Sequence, residues 1–473
     1  MWGKRILVIC IEILLFILLI RKFMEKEEMF FMGIPMASEK TLRNEWGERA
    51  FFEEIDSSKD VLLFNGNVIP YDKDTNTYYI PQNVVCNSFE GYFTVGDERV
   101  EAFFLLDGYE ANKSIGISEG HAYRIWINDE SAATISNIVM SGLPVISIDT
   151  ENMLNEARVE TDKDTVKSDN KNAMVYVEGE IAVWTAADED YGSISNRNSH
   201  IECKRSASGE TITCKLRTKS NNDSKKISLL SMGKHDAWKL YKVDERDNTC
   251  LRMMMAFQMW NKCNSVEKLS IPCRFVELIL NDEYQGLYIL SPRLDEDYFS
   301  LNDKNMILKT ENTSIKDKNF SSYRPQNIAD FGLWVQTTMG YANLFDDMVI
   351  LDEREESFFL PGKIEYAFGS FPGRYNYLSY QSEYRVLTAS DFCLQGEEAS
   401  ALNHILSERW NAARGSFLSD EEINDMIQTT FSELKRAGFA TRRPIGDEDV
   451  AVLVDGILSR YVHVDEYYDT MGE

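Results

Sequence analysis

The chain has 473 residues, 44% hydrophobic and 12% aromatic, which excludes a disordered protein and leaves room for two or three domains. Its formal charge of −27 excludes nucleic-acid binding as a main role, because phosphate backbones need Lys and Arg against them. An anionic ligand therefore requires a local basic pocket on a surface that otherwise repels it.

At the N-terminus, Lys4 and Arg5 precede the apolar run Ile6–Ile20, and Arg21-Lys22 follow it. That run gives roughly 22 Å of helix at ~1.5 Å per residue, so Trp2 and Phe23 are needed to extend it to a span. Glu12 inside it costs about 2–3 kcal/mol at the bilayer centre, tolerable in so Leu- and Ile-rich a segment. No A-x-A cleavage site follows. The segment reads as an uncleaved signal anchor over residues 1–24, with residues 25–50 juxtamembrane and the bulk of the chain extracytoplasmic.

Residues 51–140 change character. VLLF, VIPYD, TYYIP, GYFTV, EAFFLL and HAYRIWI are short alternating runs bounded by Gly, Asn and Asp. They predict a small antiparallel β module with no catalytic signature. Gly142-Leu143-Pro144 opens a second body over 141–473. VISIDT and AMVYVEGEIAVWTA read as strands, and SISNRNSHIECKRSASGETITCKLRT as a hairpin. Helices are predicted at 397–414, 418–436 and 447–468, the second opened by the capping box Ser419-x-x-Glu422. Strands first and helices later is an α+β order.

The eight cysteines (10, 86, 203, 214, 250, 263, 273, 393) show no zinc spacing. Cys203 and Cys214 can face each other across the hairpin, though buried free thiols are the ordinary reading. The five histidines are scattered, and no P-loop, G-x-S-x-G or H-E-x-x-H occurs.

The stretch 225–288 carries the most information. It holds the strand Trp238-Lys239-Leu240-Tyr241, the run Asp247 through Arg252 before a Met-rich helix, and the hairpin Asn281-Asp282-Glu283-Tyr284-Gln285-Gly286-Leu287-Tyr288. Asn281-Asp282 is a turn pair between apolar strands, and Gly286 is expected where backbones crowd. These residues resemble the W-x-L, D-x-S-x-x-R-N and N-G-E-Y-x-G-x-Y motifs of the CotH family, spore-coat proteins with an atypical protein-kinase fold. The resemblance spans roughly residues 143–468. It implies a membrane-anchored β module followed by a two-lobed kinase-like α+β body with a helical C-terminal part.

The resemblance also implies a site for ATP and Mg²⁺. Kinase chemistry needs cations on the phosphates, carboxylates on the metal and an acid to orient the hydroxyl. Arg205 stands at the Arg of an R-G-N-S-S-like motif; Asn196-Arg197-Asn198-Ser199 is the other register. The family's Lys pair falls on Glu210 or Thr211, which leaves Lys215 further along the strand as substitute. A Glu expected after the hairpin is replaced by Ser291-Pro292. The W-D-x-D-x-x-F-G run becomes Gly362-Lys363-Ile364-Glu365-Tyr366-Ala367-Phe368-Gly369, so Glu365 is the metal candidate and Lys363 a further phosphate candidate. Asp346 and Asp347 are the candidates to orient the nucleophile. If the family's activity is retained, the reaction is transfer of the γ-phosphate to Ser or Thr of a secreted or spore-coat protein. The alternative is a pseudokinase scaffold of the envelope or coat, motivated by the lost Lys, Glu and Asp. In a third reading, only the β module is functional, binding cell-wall polymer.

Overall fold

The computed structural model describes residues 30–46, 62–81, 93–105, 122–150, 176–184, 199–217, 223–300, 306–309, 325–338, 349–361, 364–375 and 386–471, with short gaps inside several of these. They fall into two compact units, one within residues 30–140 and one from residue 141 onward. The first is a ten-stranded, mainly antiparallel sheet whose longest strands are Glu98–Leu105, Ala122–Asp129 and Ala132–Ser141. Alternating apolar residues drive it: Ile125, Ile127 and Ile138 are fully buried. It recruits Phe30–Phe31 and Ile34–Ala37, the latter pairing in parallel with Glu98–Leu105, from the stretch expected to be juxtamembrane.

The second unit is built on seven strands: β1 (Val145–Thr150), β2 (Val177–Trp184), β3 (Ser199–Arg205), β4 (Thr211–Arg217), β5 (Ala237–Lys242), β6 (Arg274–Leu280) and β7 (Glu283–Pro292). They close into a barrel in the order β1-β2-β3-β4-β5-β7-β6, and β6 returns to β1 as a parallel neighbour. Closure leaves no exposed edge. Inward residues fill the barrel: Ile146, Ile148, Ile201, Cys203, Ile212, Cys214, Trp238, Leu240, Val276, Leu278 and Tyr288 are among them.

Helix α1 (Arg252–Cys263) packs its buried Met254, Phe257 and Trp260 into a second core on the outside of the barrel, together with Tyr241, Phe275 and Ile289. Helix α2 (Pro325–Thr338) lies in the same core, and its Trp334 Nε1 donates to Ala256 O at 2.9 Å. Helices α3 (Gly396–Arg414), α4 (Asp420–Arg436) and α5 (Asp447–Met471) complete it. Ser419 caps α4 by accepting from Glu422 N at 3.2 Å, as the capping box requires.

The expected architecture needs correction. The second unit is a closed seven-stranded barrel with helices against one outer face, not a two-lobed kinase-like body. Strands β1 and β2 extend the sheet until it meets itself, which the linear order of elements does not disclose. The anchor expected over residues 1–24 lies outside the described residues. Among the described residues no helix is long and apolar enough to cross a membrane, so a transmembrane helix is not part of the observed fold.

The β6–β7 turn shows both kinds of local agreement and disagreement. Asn281 and Asp282 have φ of 52° and 60°, the pair of left-handed residues that a type I′ hairpin requires. Gly286 has φ +94° and sits where the ladder slips by a residue, Leu278 pairing Gly286 while Ile279 pairs Tyr284. A Cβ on it would meet nothing within 4 Å. The glycine thus serves the bulge's backbone angle, not the close approach expected from sequence.

Candidate functional site

Strand alternation decides which side chains of the β3–β4–β5 sheet share a surface. Ile201, Cys203, Ile212, Cys214, Trp238 and Leu240 point inward. By the same parity Glu202, Lys204, Thr213, Lys215, Lys239 and Tyr241 point outward. Thr213 pairs with Lys204 on one side and Lys239 on the other, so the three form a row across the outer face. Lys215 follows Thr213 on the same face. The Lys204 and Lys215 ammoniums lie 5.6 and 4.4 Å from the centre of the Tyr176 ring. Lys239 Nζ lies 4.3 Å over Tyr241, whose ring meets Phe257 of α1 edge-on. Three ammoniums thereby line an aromatic-bearing face that is continuous with the α1 wall. On a chain of charge −27, this face offers an anion a local cationic surface, with Glu202 standing opposite Lys215 on it.

Arg205 is elsewhere. It is paired with inward Ile212 and lies at the mouth of the barrel, where its Nε donates to Gly209 O at 3.2 Å. Its guanidinium faces the buried hydroxyl of Tyr288. That hydroxyl has no hydrogen-bond partner at good geometry among the described residues. Burial pushes the Tyr288 phenol up from its ordinary value, and Arg205 partly offsets this. Arg205 and Lys215 therefore occupy opposite faces of one hairpin and do not meet at a common phosphate. Asp346, Asp347, Lys363 and Glu365 lie outside the described residues. Among the described residues no group of three or more His, Cys, Asp or Glu converges as a metal cage.

A second feature joins α1 to the segment that carries Glu365. The Asp247 carboxylate accepts from Thr249 N at 3.1 Å, Thr249 Oγ1 at 2.7 Å and Arg252 N at 3.3 Å, fixing the first turn of α1. Arg252 Nε returns to Asp247 at 3.3 Å, both side chains being about 95% buried. Arg252 Nη1 also donates to Phe368 O. Phe368, in the left-handed region at φ 55°, in turn donates its N–H to Thr338 O at the end of α2. Arg443 Nη2 reaches the carbonyls of Glu245 and Asp247. One guanidinium thus ties the start of α1 to the backbone at Phe368, three residues after Glu365 in the sequence.

Sequence reasoning missed Lys204 and Lys239 as candidates. The signal was present: alternation along Trp238-Lys239-Leu240-Tyr241 sets Lys239 on the α1 side.

The strand–helix–hairpin order from β4 through β7 and into α2 defines a recognised class of domain. Residues 214–336 match the family described as CotH kinase protein, about a quarter of the chain. This match makes residues 214–336 a stretch similar to the CotH family. No curated protein matches it. Lys215, Lys239, Asp247 and Arg252 fall within the matched residues. Arg205, Asp346, Asp347, Lys363 and Glu365 fall outside them.

Proposed function

We propose that this chain binds ATP on the outer, α1-side face of its barrel and transfers the γ-phosphate to a Ser or Thr hydroxyl of a secreted or spore-coat protein. The observation that carries the reading is the convergence of Lys204, Lys215 and Lys239 on one face of an otherwise strongly acidic protein. Phosphoryl transfer is mostly positioning and charge neutralisation, which such a face supplies. Lys239, nearest the α1 wall, neutralises the phosphates, and Lys204 and Lys215 extend the cationic surface. Arg205, on the inward face, has no phosphate role in this reading.

Glu365, a hard carboxylate donor, is the residue that would hold Mg²⁺. The ion would supply charge neutralisation at the phosphates. Arg252 holds the backbone at Phe368 and so positions the Glu365 segment. Asp346 or Asp347 would orient the attacking hydroxyl, and Lys363, two residues before Glu365 in the sequence, would serve as a further cation.

Lys363 also favours a second reading, because an ammonium occupies the place of the family's first metal carboxylate. In that reading the chain binds nucleotide and a partner protein without turnover. Calorimetry with Mg-ATP tests the shared step. Binding heat is expected for the native protein, and affinity lower by about tenfold or more for Lys239→Met and Lys215→Gln, as a lost charged contact requires. No heat in the native protein ends both readings. Incorporation of γ-phosphate into the protein itself then supports transfer, and binding without incorporation supports the scaffold.

A further inference from the structure

Five cysteines among the described residues are free, and all are buried: Cys203, Cys214, Cys250, Cys263 and Cys273. Three of them sit in the helical core. Burial pushes the thiols of Cys250 and Cys273 up to about 12 and that of Cys263 higher still, which makes them inert. Cys203 and Cys214 are different. They face each other directly across β3 and β4 inside the barrel, with their Sγ atoms 3.2 Å apart.

The ladder explains the approach. Ser206 N donates to Thr211 O at 2.8 Å, which makes 206 and 211 a hydrogen-bonded pair at the hairpin end. Pairs alternate along an antiparallel ladder, so Cys203 and Cys214 form a non-hydrogen-bonded pair. Such pairs bring their Cα atoms to about 4.5 Å and their side chains closest together. A disulfide accepts Cα separations of about 4.4–6.8 Å. Closing the sulfurs to about 2.0 Å then needs only a small side-chain rotation, with no change of register.

We propose that Cys203 and Cys214 form a disulfide that staples β3 to β4 within the barrel. The oxidant is a small-molecule or protein disulfide of the glutathione class. One cysteine, as thiolate, attacks that disulfide and expels a thiolate, leaving a mixed disulfide. The second cysteine's thiolate attacks the protein-bound sulfur and expels the other half. Two protein thiols are oxidised, one external disulfide is reduced to two thiols, and the two protein protons end on those thiols. Exchange takes place while the hairpin is open, since both sulfurs are 1% exposed or less once the barrel has closed. The same burial then shields the bond. The inference stands independently of the nucleotide reading, although the stapled hairpin is the one that carries Lys204 and Lys215.

The test uses the purified full chain. It is opened in guanidinium, returned to buffer containing oxidised and reduced glutathione, quenched with iodoacetamide and mapped by peptide mass after tryptic cleavage at Lys204 and Arg205. The expected result is a linked pair of peptides containing Cys203 and Cys214, lighter by two hydrogens than the reduced sum. In a parallel sample kept under reductant both cysteines carry the alkyl label. Full alkylation of both after oxidative treatment overturns the proposal, as does linkage of either to another cysteine. Cys203→Ser provides a second check: Cys214 is then recovered alkylated, and its appearance in a bond to a different cysteine counts against the pairing.

Discussion

Arg252 performs two jobs with one side chain. Its guanidinium is paired with Asp247 in a buried setting, and its other arm holds the Phe368 carbonyl. Removing one partner of a buried ion pair strands the other charge, so Arg252→Ala is expected to lower unfolding free energy by about 3–5 kcal/mol in urea titrations. Arg252→Lys recovers only part of this, because a single ammonium lacks the planar fork needed to reach both acceptors. A loss below about 1 kcal/mol contradicts the buried-pair account. His235 supplies a pH signature. Its ring stacks on Tyr298 at 5.0 Å and is half-buried; burial, aided by Lys226, holds its pKa below the ordinary 6.5. The unfolded chain thus binds the proton more readily than the fold does. This contribution is fully present above pH 6.5 and is lost as pH falls through the depressed folded value. Stability measured from pH 7 downward is expected to fall in that window for the native protein, and to fall less for His235→Gln.

Individual elements were largely legible in the sequence. The three C-terminal helices, the capping box at Ser419, the β3–β4 hairpin and the Asn281-Asp282 turn all follow from local periodicity and turn chemistry. Arg205 and Lys215 fall on opposite faces of their hairpin for a specific reason. Motif matching counts residues along the chain, whereas a strand sorts them by parity, and Arg205 shares its parity with Ile201 and Cys203. The parity rule applied to the same hairpin brings out Lys204, Lys215 and Lys239 instead. Gly142 shows a contact that no local signal reveals. Its N–H donates to Ala437 O at 3.0 Å, and a Cβ on it would sit 2.4 Å from the Ala437 Cα. Backbone cannot yield as a flexible side chain does. Gly142→Ala is therefore expected to destabilise by about 1–3 kcal/mol in the same titration, and an unchanged midpoint contradicts the contact.

At the scale of the whole molecule, closure was the feature beyond reach of the sequence. β1 and β6 pair in parallel although more than a hundred residues separate them, and nothing in either segment's composition names its partner. The charged face rests on the β3–β4–β5 ladder and on α1, which together set Lys239 beside an aromatic wall. The most direct measurement is affinity labelling with an acyl phosphate of ATP, whose acyl carbon is attacked by a lysine amine beside the bound phosphates as ATP departs. The account predicts acylation concentrated on Lys239, with Lys204 or Lys215, and suppressed by excess Mg-ATP. Labelling scattered over surface lysines and indifferent to Mg-ATP, or absent from all three, contradicts it.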